Sequence, residues 1–208
     1  MPSKEFESFM EAYSVIDSWK PASDVYAIKN YPLVTGLASS LSGAYINSYY
    51  RQKVKLRSRV FFPTAVPMIF LPVFVSTILH HQFVQRPLIL QKFQCPVCIE
   101  LRGGAIQLFA GFIYPMVLGP VVAFHFASTL YTYALPTIKE PKKLLDVFLK
   151  FTKPVLPRLW LIAGAQTAIG MALTHAEAYN LFTVISKVSM MEQQLKENKA
   201  PKDEFTSF

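Results

Sequence analysis

Long apolar runs separated by basic segments set the pattern of this chain. The longest run without Asp, Glu, Lys or Arg begins at Gly103 and ends at Ile138. A helix needs about 20 predominantly apolar residues to cross a bilayer, because each residue adds about 1.5 Å of length. Further apolar runs occupy residues 31–50, 60–79 and 160–176. The pattern therefore predicts an all-α polytopic membrane bundle with about four transmembrane helices.

The predicted spans are rich in proline and in small residues. Pro63, Pro67 and Pro72 fall within the second span, and a proline inside a helix removes a hydrogen bond and bends the axis. Small residues spaced four apart let helix backbones approach closely in a bilayer. We therefore expect kinked helices in close contact. The candidate helix-packing residues are Gly36, Ser40 and Gly43 in the first span, and Gly111, Tyr114 and Pro115 in the third.

Polar segments flank the predicted membrane domain. In residues 1–30 apolar side chains recur at three- and four-residue spacing from Phe6 to Ile16, which predicts an amphipathic helix. Residues 31–187 form the predicted four-span membrane domain, and residues 188–208 form a polar C-terminal tail. The first thirty residues resemble neither a secretory signal nor an Arg-rich transit peptide. Any organelle address is therefore expected to be internal.

Composition and charge support the membrane interpretation. Only 16% of the 208 residues are charged, against about 25% in ordinary globular proteins. The net charge is +8, yet the basic residues are grouped between apolar runs. This grouping is typical of short loops on one side of a membrane, where they attract anionic lipids, and it argues against a nucleic-acid partner. The basic loops include Arg51, Lys53, Lys55, Arg57 and Arg59, and then Lys142 and Lys143.

A pair of cysteines is the one constellation with catalytic potential. Cys95-Pro-Val-Cys98 precedes the third span by a few residues, and a helix N-terminus lowers the pKa of a nearby thiol. A structural disulfide, a reduced pair, a redox pair and a metal site all stay open at this point. Zinc would need two more ligands, and His80 and His81 have an irregular spacing for that role. A thiol-to-quinone relay would need a second cysteine pair, which this sequence lacks.

No other motif indicates chemistry. The sequence contains no Gly-rich phosphate loop, no GxSxG elbow and no HExxH helix. His125 lies well inside the third span, where a packing role is at least as well supported as a functional one. No acidic residue lies inside a predicted span, which argues against a proton or ion transporter. We therefore assign no catalytic, cofactor-binding or metal-binding residue and keep the cysteine pair as the single redox candidate.

The order of features from Gly36 to Lys187 points to one family. A small-residue span ends in a basic loop, a CxxC loop leads into a Gly-Pro-rich span, and a Lys-Pro pair precedes the last span. In this order the sequence resembles the transmembrane protein 126 family of mitochondrial membrane proteins. The segments that carry the resemblance are residues 51–59, Cys95-Pro-Val-Cys98, Gly111-Phe-Ile-Tyr-Pro115, Leu135-Pro136, Thr152-Lys-Pro-Val155 and Gln166.

The resemblance implies a multi-pass protein of the mitochondrial inner membrane that is not an enzyme and binds no cofactor. Its implied role is that of a scaffold or chaperone for assembly of the membrane arm of respiratory complex I. The implied partners are complex I membrane-arm subunits and other assembly factors, among them ECSIT and an acyl-CoA dehydrogenase-like protein. The basic loops would face the matrix. The termini and the cysteine loop would face the intermembrane space, whose oxidising character favours a disulfide between Cys95 and Cys98.

The alternative function comes from a different class of protein. It is a membrane thiol oxidoreductase that uses Cys95 and Cys98, and it depends on a thiolate forming in that pair. Loss of function when both thiols are removed would favour it over the scaffold.

Overall fold

Helices form the framework of this protein. The structure, a computed structural model, describes residues 4–56, 58, 60–93, 95–136 and 141–199, and no strand is present within them. The prediction of an all-α fold is confirmed. The helices are α1 (Lys4–Ser18), α2 (Tyr26–Lys53), α3 (Phe61–Ile89), α4 (Pro96–Thr129), α5 (Pro141–Thr152) and α6 (Leu156–Lys199), and a 3₁₀ turn, Ala22–Val25, precedes α2.

Three stretches are long and apolar enough to cross a membrane, judged by length and composition. They are α3, α4 and the stretch Lys142–Asn198, which contains most of α6. The helix α2 is 28 residues long and is therefore also long enough to span, but it is less apolar than the others. The prediction of a polytopic membrane bundle is confirmed, and α2 decides whether its spans number three or four.

The low hydropathy of α2 follows from its place in the bundle. It packs against α3, α4 and α6, so most of its circumference faces protein rather than lipid. Its outward line consists of Leu33, Leu37 and Leu41, which are exposed and spaced four apart. A helix so placed needs apolar side chains only on its narrow outer face. The uncharged polar side chains that it buries are Thr35, Ser39, Ser42 and Asn47.

Apolar clusters consolidate both ends of the bundle. At one end Phe9 and Ile16 of α1 are buried in a cluster with Val84 and Leu88 of α3 and Leu181 of α6. The amphipathic N-terminal helix therefore packs on its own protein. At the other end a second cluster joins the last turns of α2 and α4 to α5 and the start of α6. Its buried members include Tyr50, Phe124, Phe151, Val155 and Leu159.

The last helix, α6, extends well beyond the predicted fourth span. It runs for 44 residues from Leu156 to Lys199, which corresponds to about 66 Å at 1.5 Å per residue. The hydrocarbon core of a bilayer is only about 30 Å thick, so part of α6 must lie outside it. The backbone N–H of Ala27 donates to the side-chain oxygen of Asn180 at 2.8 Å. The outer part of α6 is thereby tied to the start of α2.

Three π-helical turns interrupt α3 and α4, and each ends two residues before a proline. Proline lacks an N–H, and its ring clashes with the carbonyl four residues earlier. A wider π turn relieves that clash without breaking the helix. The sequence predicts distortion at Pro72 and Pro115, and the structure shows the form that it takes. Pro87 lies beyond the predicted second span, in a part of α3 that the sequence did not predict. The pairs are Val66–Phe70 with Pro72, His81–Gln85 with Pro87, and Phe109–Ile113 with Pro115.

Candidate functional site

Four of the carbonyls that prolines deprive of a helical partner are contacted by neighbouring helices. In hydrocarbon an unpaired backbone group costs several kcal/mol, so each one needs a donor from elsewhere. Pro32 in α2 deprives the Ile28 carbonyl of its normal helical partner. The fully buried Gln85 amide donates to that carbonyl at 2.8 Å, and its own oxygen pairs with His81 at 2.7 Å. An α3 side chain thus completes the hydrogen bonding of α2.

A second such contact joins α2 to α4. Pro115 deprives the Gly111 carbonyl of its normal partner, and the buried Ser42 hydroxyl of α2 donates to that carbonyl. Gly111 itself has no room for a side chain, since an added Cβ would lie 2.6 Å from the Gln166 side-chain oxygen. The predicted packing residues Gly111 and Pro115 therefore lie at one junction of α2, α4 and α6.

A third contact joins α3 to α4 near the cysteine loop. Pro87 deprives the Phe83 carbonyl of its normal partner, and the Arg102 guanidinium donates to that carbonyl at 3.1 Å. A charged donor makes this a comparatively strong hydrogen bond. The Phe83 carbonyl of α3 and the Gly111 carbonyl of α4 share a pattern, because each lies within a π turn and accepts a hydrogen bond from a neighbouring helix.

At Gly43 the backbones of α2 and α3 meet directly. An added Cβ would lie 1.9 Å from the Met68 carbonyl oxygen, and this is the carbonyl that Pro72 deprives of its helical partner. A Cα–H contact to a carbonyl is a weak hydrogen bond that recurs where helices cross closely. Gly36 makes the neighbouring contact, because its Cβ position would lie 3.0 Å from a methyl group of Val73.

The other predicted packing residues have smaller roles. The Ser40 hydroxyl donates to the Gly36 carbonyl of its own helix at 2.7 Å. The Tyr114 hydroxyl donates to the Pro67 carbonyl of α3 at 3.4 Å, which is long for a hydrogen bond of this type. Pro115 is buried at the start of the α-helical part of α4 that follows its π turn.

A polar network lies at the centre of the bundle and joins α2, α4 and α6. The buried Gln107 amide donates to Gln166 at 2.8 Å, to the Ser39 hydroxyl at 3.1 Å and toward the Thr35 carbonyl at 3.2 Å. The Gln166 amide donates in turn to the Ala38 carbonyl at 2.8 Å. Gln166 is among the residues that carry the family resemblance, whereas the sequence does not single out Gln107. The available signal was its position between Gly103 and Gly111 on one helical face.

Glycines also allow α4 and α6 to lie close together, on the side of this network nearer the start of α4. An added Cβ on Gly170 would lie 2.6 Å from the Gly103 carbonyl, and one on Gly104 would lie 3.1 Å from the Thr167 carbonyl. Small residues on both helices permit this approach, as expected of helices that associate in lipid. The junctions at the prolines, the glutamine network and these glycines together fix α2, α3, α4 and α6 against one another.

A buried His–Glu pair joins α3 to α6. The His80 Nε2 and Glu177 Oε2 atoms are 2.8 Å apart, and the two side chains are 1% and 0% exposed. The Tyr31 ring stacks on His80 with 5.1 Å between centroids. Glu177 lies one residue beyond the predicted fourth span, but α6 continues past residue 176 and buries it inside the bundle.

The cysteine pair lies at the N-terminus of α4. Cys95 occupies the position before the first helical residue, and the backbone N–H of Cys98 donates to its sulfur at 3.3 Å. The two thiols are not joined by a disulfide in the structure. The hydrogen bond from the Cys98 side chain, followed by the one from the Cys98 backbone, lowers the pKa of Cys95. Within the described residues no cluster of three or more His, Cys, Asp or Glu side chains could hold a metal ion.

The first basic loop begins at the end of α2. Arg51 is buried, with its guanidinium carbon 5.0 Å from the Phe61 ring centroid. The Lys53 amine lies 5.3 Å from the Tyr49 ring centroid, a distance within the range of a cation–π contact. Arg51 therefore has a packing role in addition to its charge.

The remaining basic residues are solvent-accessible where the structure describes them. Lys55 follows α2 in an exposed position, and Lys142 and Lys143 are exposed on α5. Arg57 and Arg59 lie outside the described residues. Both basic segments nevertheless meet at one end of the bundle, because the Tyr49 hydroxyl donates to the Phe151 carbonyl at 2.7 Å.

These features define a class of protein, a polytopic helical membrane protein whose polar side chains pair with one another between the helices. The chain matches the family model described as transmembrane protein 126 over residues 17–194, and it belongs to that family. It is 33% identical over 199 residues to transmembrane protein 126 of Drosophila melanogaster, which covers 95% of this chain and 89% of that relative. The family predicted from the sequence is confirmed.

More distant relatives give the same family. Over 154 residues the chain is 25% identical to transmembrane protein 126A of Rattus norvegicus, covering 74% of this chain and 76% of the relative. It is 22% identical over 153 residues to transmembrane protein 126A of Mus musculus. No solved structure matches the chain.

Proposed function

We propose that this protein is a non-enzymatic membrane scaffold that acts as a chaperone in assembly of the membrane arm of mitochondrial respiratory complex I. Membership of the transmembrane protein 126 family supports this role. The proposed location is the mitochondrial inner membrane. The basic loops would face the matrix, following the excess of Lys and Arg, and the termini and the Cys95–Cys98 loop would face the intermembrane space.

The observation that carries the proposal is an apolar stripe on the outward side of α3. Large apolar side chains recur there every four residues along 17 residues of helix, and they are between 51% and 77% exposed. Aromatic residues are enriched in protein contacts, and this regular row offers a transmembrane helix of a partner a groove-and-ridge surface. These five residues form what we call the α3 stripe: Phe62, Val66, Phe70, Phe74 and Ile78.

The α3 stripe would contact a transmembrane helix of a complex I membrane-arm subunit before that subunit reaches its final neighbours. Soluble assembly factors would bind outside the membrane. ECSIT and an acyl-CoA dehydrogenase-like protein are the proposed soluble partners, and Lys142 and Lys143 on the exposed side of α5 are candidates for contacting them. The same basic loops would also bind anionic lipids. No nucleic acid is proposed as a partner.

The proposal is tested by purifying the tagged protein from mitochondria in mild detergent and identifying what accompanies it by mass spectrometry. We expect membrane-arm subunits and assembly factors with the unaltered protein. The double substitution Phe70→Ala, Phe74→Ala should reduce the recovered membrane-arm subunits severalfold, because it removes two rings from the α3 stripe. The matched control is Leu33→Ala, Leu37→Ala, which trims a comparably exposed row on α2.

Two results would count against this proposal, one against the assembly role and the other against the contact surface. If the unaltered protein recovers no complex I subunit, the assembly role is wrong. If both double variants recover the same amounts as the unaltered protein, the α3 stripe is not the contact surface. Complex I content in cells that express each variant, measured on native gels, gives an independent readout of assembly.

A specific observation also supports a second candidate function, that of a membrane thiol oxidoreductase. The Cys98 backbone N–H and the Cys98 thiol both hydrogen-bond the Cys95 sulfur, and this lowers the pKa of Cys95. Cys95 as thiolate would attack a partner disulfide, forming a mixed disulfide and releasing one partner thiol. Cys98 would then displace the second thiol, leaving the partner reduced and a Cys95–Cys98 disulfide. A partner must later reduce that disulfide, because the chain has two cysteines in total.

The two candidate functions give opposite results with one variant. Full rescue of complex I content by Cys95→Ser, Cys98→Ser would remove the oxidoreductase function and leave the scaffold. Loss of rescue, together with a covalent partner trapped by Cys98→Ser alone, would replace the scaffold with thiol chemistry. Cys95→Ser alone is the matched control for trapping, because it lacks the attacking thiol.

A further inference from the structure

A groove of about 430 Å³ runs between α2 and α6 on the outer surface of the bundle. It is open toward the bilayer, because Leu41 and Leu161 on its two edges are 72% and 75% exposed. Its walls are almost entirely apolar. The lining residues used below are Ala38 and Leu41 from α2 and Arg158, Ile162, Ala165 and Ile169 from α6.

The groove has a cationic end and an apolar end. Arg158 lies in the first turn of α6, and Ile169 lies eleven residues further along the same helix, which places it about 16 Å away at 1.5 Å per residue. Trp160, which is exposed beside Arg158, is a residue type that favours the membrane–water interface. The Arg158 end therefore suits a headgroup level, and the Ile169 end suits the hydrocarbon.

The surroundings of the cationic end are also basic. The contact of Tyr49 with the Phe151 carbonyl brings the end of α2 beside the start of α6. Lys53 follows on one side, and Lys150 and Lys153 on the other, all with exposed side chains. Basic residues close to a membrane surface attract anionic headgroups, and basic pockets between transmembrane helices bind them.

We propose that this groove binds one anionic glycerophospholipid. The Arg158 guanidinium donates hydrogen bonds to the headgroup phosphate, for which its planar fork is well suited. One acyl chain lies along Ile162, Ala165 and Ile169. The lateral opening selects a ligand that arrives from the bilayer, and the single cation at one end selects a negative headgroup. This site makes the lipid binding of the proposed function more specific. It rests on the proposed lipid binding and on no other part of the proposed function.

A second groove provides an internal comparison. It is larger, about 820 Å³, and lies between α4 and α5, with Val121, His125 and Leu145 among its lining residues. Among the residues that the structure describes, none that lines this groove is Lys, Arg, Asp or Glu. It therefore lacks the charge complementarity of the α2–α6 groove, and anionic selectivity is assigned to the α2–α6 groove.

The test uses the purified full-length protein in detergent, with phosphatidylglycerol as the anionic probe and phosphatidylcholine as the neutral one. Native mass spectrometry measures the fraction of protein that carries each lipid as its concentration rises. We expect tighter binding of phosphatidylglycerol. Arg158→Gln should weaken it about fivefold, from the contribution of one basic residue near a membrane surface. Lys196→Gln, which removes an exposed charge near the far end of α6 and away from the groove, is the matched control and should change it little.

A second pair of variants tests the acyl chain. Ala165→Phe fills the groove and should reduce binding of phosphatidylglycerol while retaining Arg158. Ala168→Phe adds the same ring at an exposed position that does not line the groove, and it should leave binding unchanged. Both positions are exposed, so both variants are expected to fold.

Three results would overturn the lipid site. Equal losses with Arg158→Gln and Lys196→Gln would mean diffuse attraction to surface charge. Unchanged binding in Ala165→Phe, with displacement by inorganic phosphate, would mean a phosphate site without an acyl chain. Equal binding of the two lipids would mean apolar filling without charge selection. Complex I assembly enters none of these measurements, so failure here is distinguishable from failure of the scaffold.

Discussion

At Gly43 a missing side chain sets the distance between two helices. The Met68 carbonyl oxygen lies 1.9 Å from the position that a Cβ would occupy, and a backbone atom moves less readily than the end of a flexible side chain. We expect Gly43→Ala to lower the free energy of unfolding by about 1–3 kcal/mol, the usual cost of inserting a group into a packed interface. Thermal unfolding of the purified protein, followed by circular dichroism, measures the change.

Gly164 offers the matched control for that substitution. It also lies inside a long helix, but an added Cβ there meets no atom within 4 Å. Gly164→Ala should leave stability unchanged or raise it by up to about 1 kcal/mol, because glycine weakens a helix interior. If the two variants unfold alike, the close approach of α2 to Met68 does not limit stability.

Asp24 gives the segment before α2 a predictable response to pH. Hydrogen bonds from Lys187 and from the Trp19 indole, the latter at 3.2 Å, lower the pKa of Asp24 below its ordinary value. A carboxyl group with a lowered folded-state pKa contributes stability above its unfolded-state pKa and loses it as pH falls through the folded-state pKa. Acidification below the ordinary Asp range should therefore loosen this segment, and Trp19 fluorescence would report it.

Asp24→Asn should remove that transition, since an amide does not titrate in this range. Trp160→Phe in both proteins leaves Trp19 as the single tryptophan, so the signal is local. A transition that persists unchanged in Asp24→Asn would show that another group controls it.

At the scale of the helices, the prolines and the side chains that donate to the affected carbonyls together link one helix to another. Three residues distant in sequence, Ser42, Gln85 and Arg102, donate to carbonyls that prolines deprive of a helical partner. Each contact converts a weak point of one helix into a link to another, which explains how a membrane bundle tolerates prolines inside its spans. Proline distortion could be predicted from the sequence. The donors could not, because they depend on which helices become neighbours.

The link between Ser42 and Pro115 predicts a measurable coupling. Ser42→Ala should lower the free energy of unfolding by about 1 kcal/mol, because the Gly111 carbonyl loses its donor in a site without water. Pro115→Ala restores a backbone N–H that can serve the same carbonyl. In that background Ser42→Ala should therefore cost less, and a double-mutant cycle measured by denaturant unfolding gives the difference.

Pro120 provides the control for this cycle. It lies in the same helix, within an α-helical stretch after the π turn, and it does not act on the Gly111 carbonyl. The cost of Ser42→Ala should be unchanged in a Pro120→Ala background. Equal coupling with both prolines would indicate a general loosening of α4 instead of a shared carbonyl.

At the scale of the whole molecule, the sequence and the structure agree on class and differ on what lies inside. The lengths of the apolar runs predict an all-α membrane bundle, and the order of the motifs predicts the family. Gln107 and Glu177 were missed, because a polar residue near a span end gives no sign of burial until its partner is known. His80 lies 97 positions away from Glu177 along the chain. Because charged residues were taken as the limits of the predicted spans, the predicted fourth span ends at residue 176, one residue before Glu177.

The His80–Glu177 pair is positioned to hold α3 and α6 together at the end of the bundle that also carries α1. Glu177→Ala leaves a fully buried imidazole without its partner, and a buried polar group left unsatisfied costs about 1–3 kcal/mol. Glu177→Gln retains an oxygen that accepts a hydrogen bond from the imidazole, so it should cost less. Thermal unfolding of the full-length protein in lipid nanodiscs measures both.

The pair formed by His175 and Glu100 is the exposed counterpart of the buried His80–Glu177 pair, because both join a histidine to a glutamate. Its atoms are also 2.8 Å apart, but its side chains are 71% and 22% exposed, so water competes for both groups. Glu100→Ala should cost no more than about 1 kcal/mol. If Glu177→Ala costs no more than Glu100→Ala, burial adds nothing to the His80 contact. The apolar cluster around Phe9 and Leu181, which joins α1, α3 and α6 at this end, would then be the stronger link between α3 and α6.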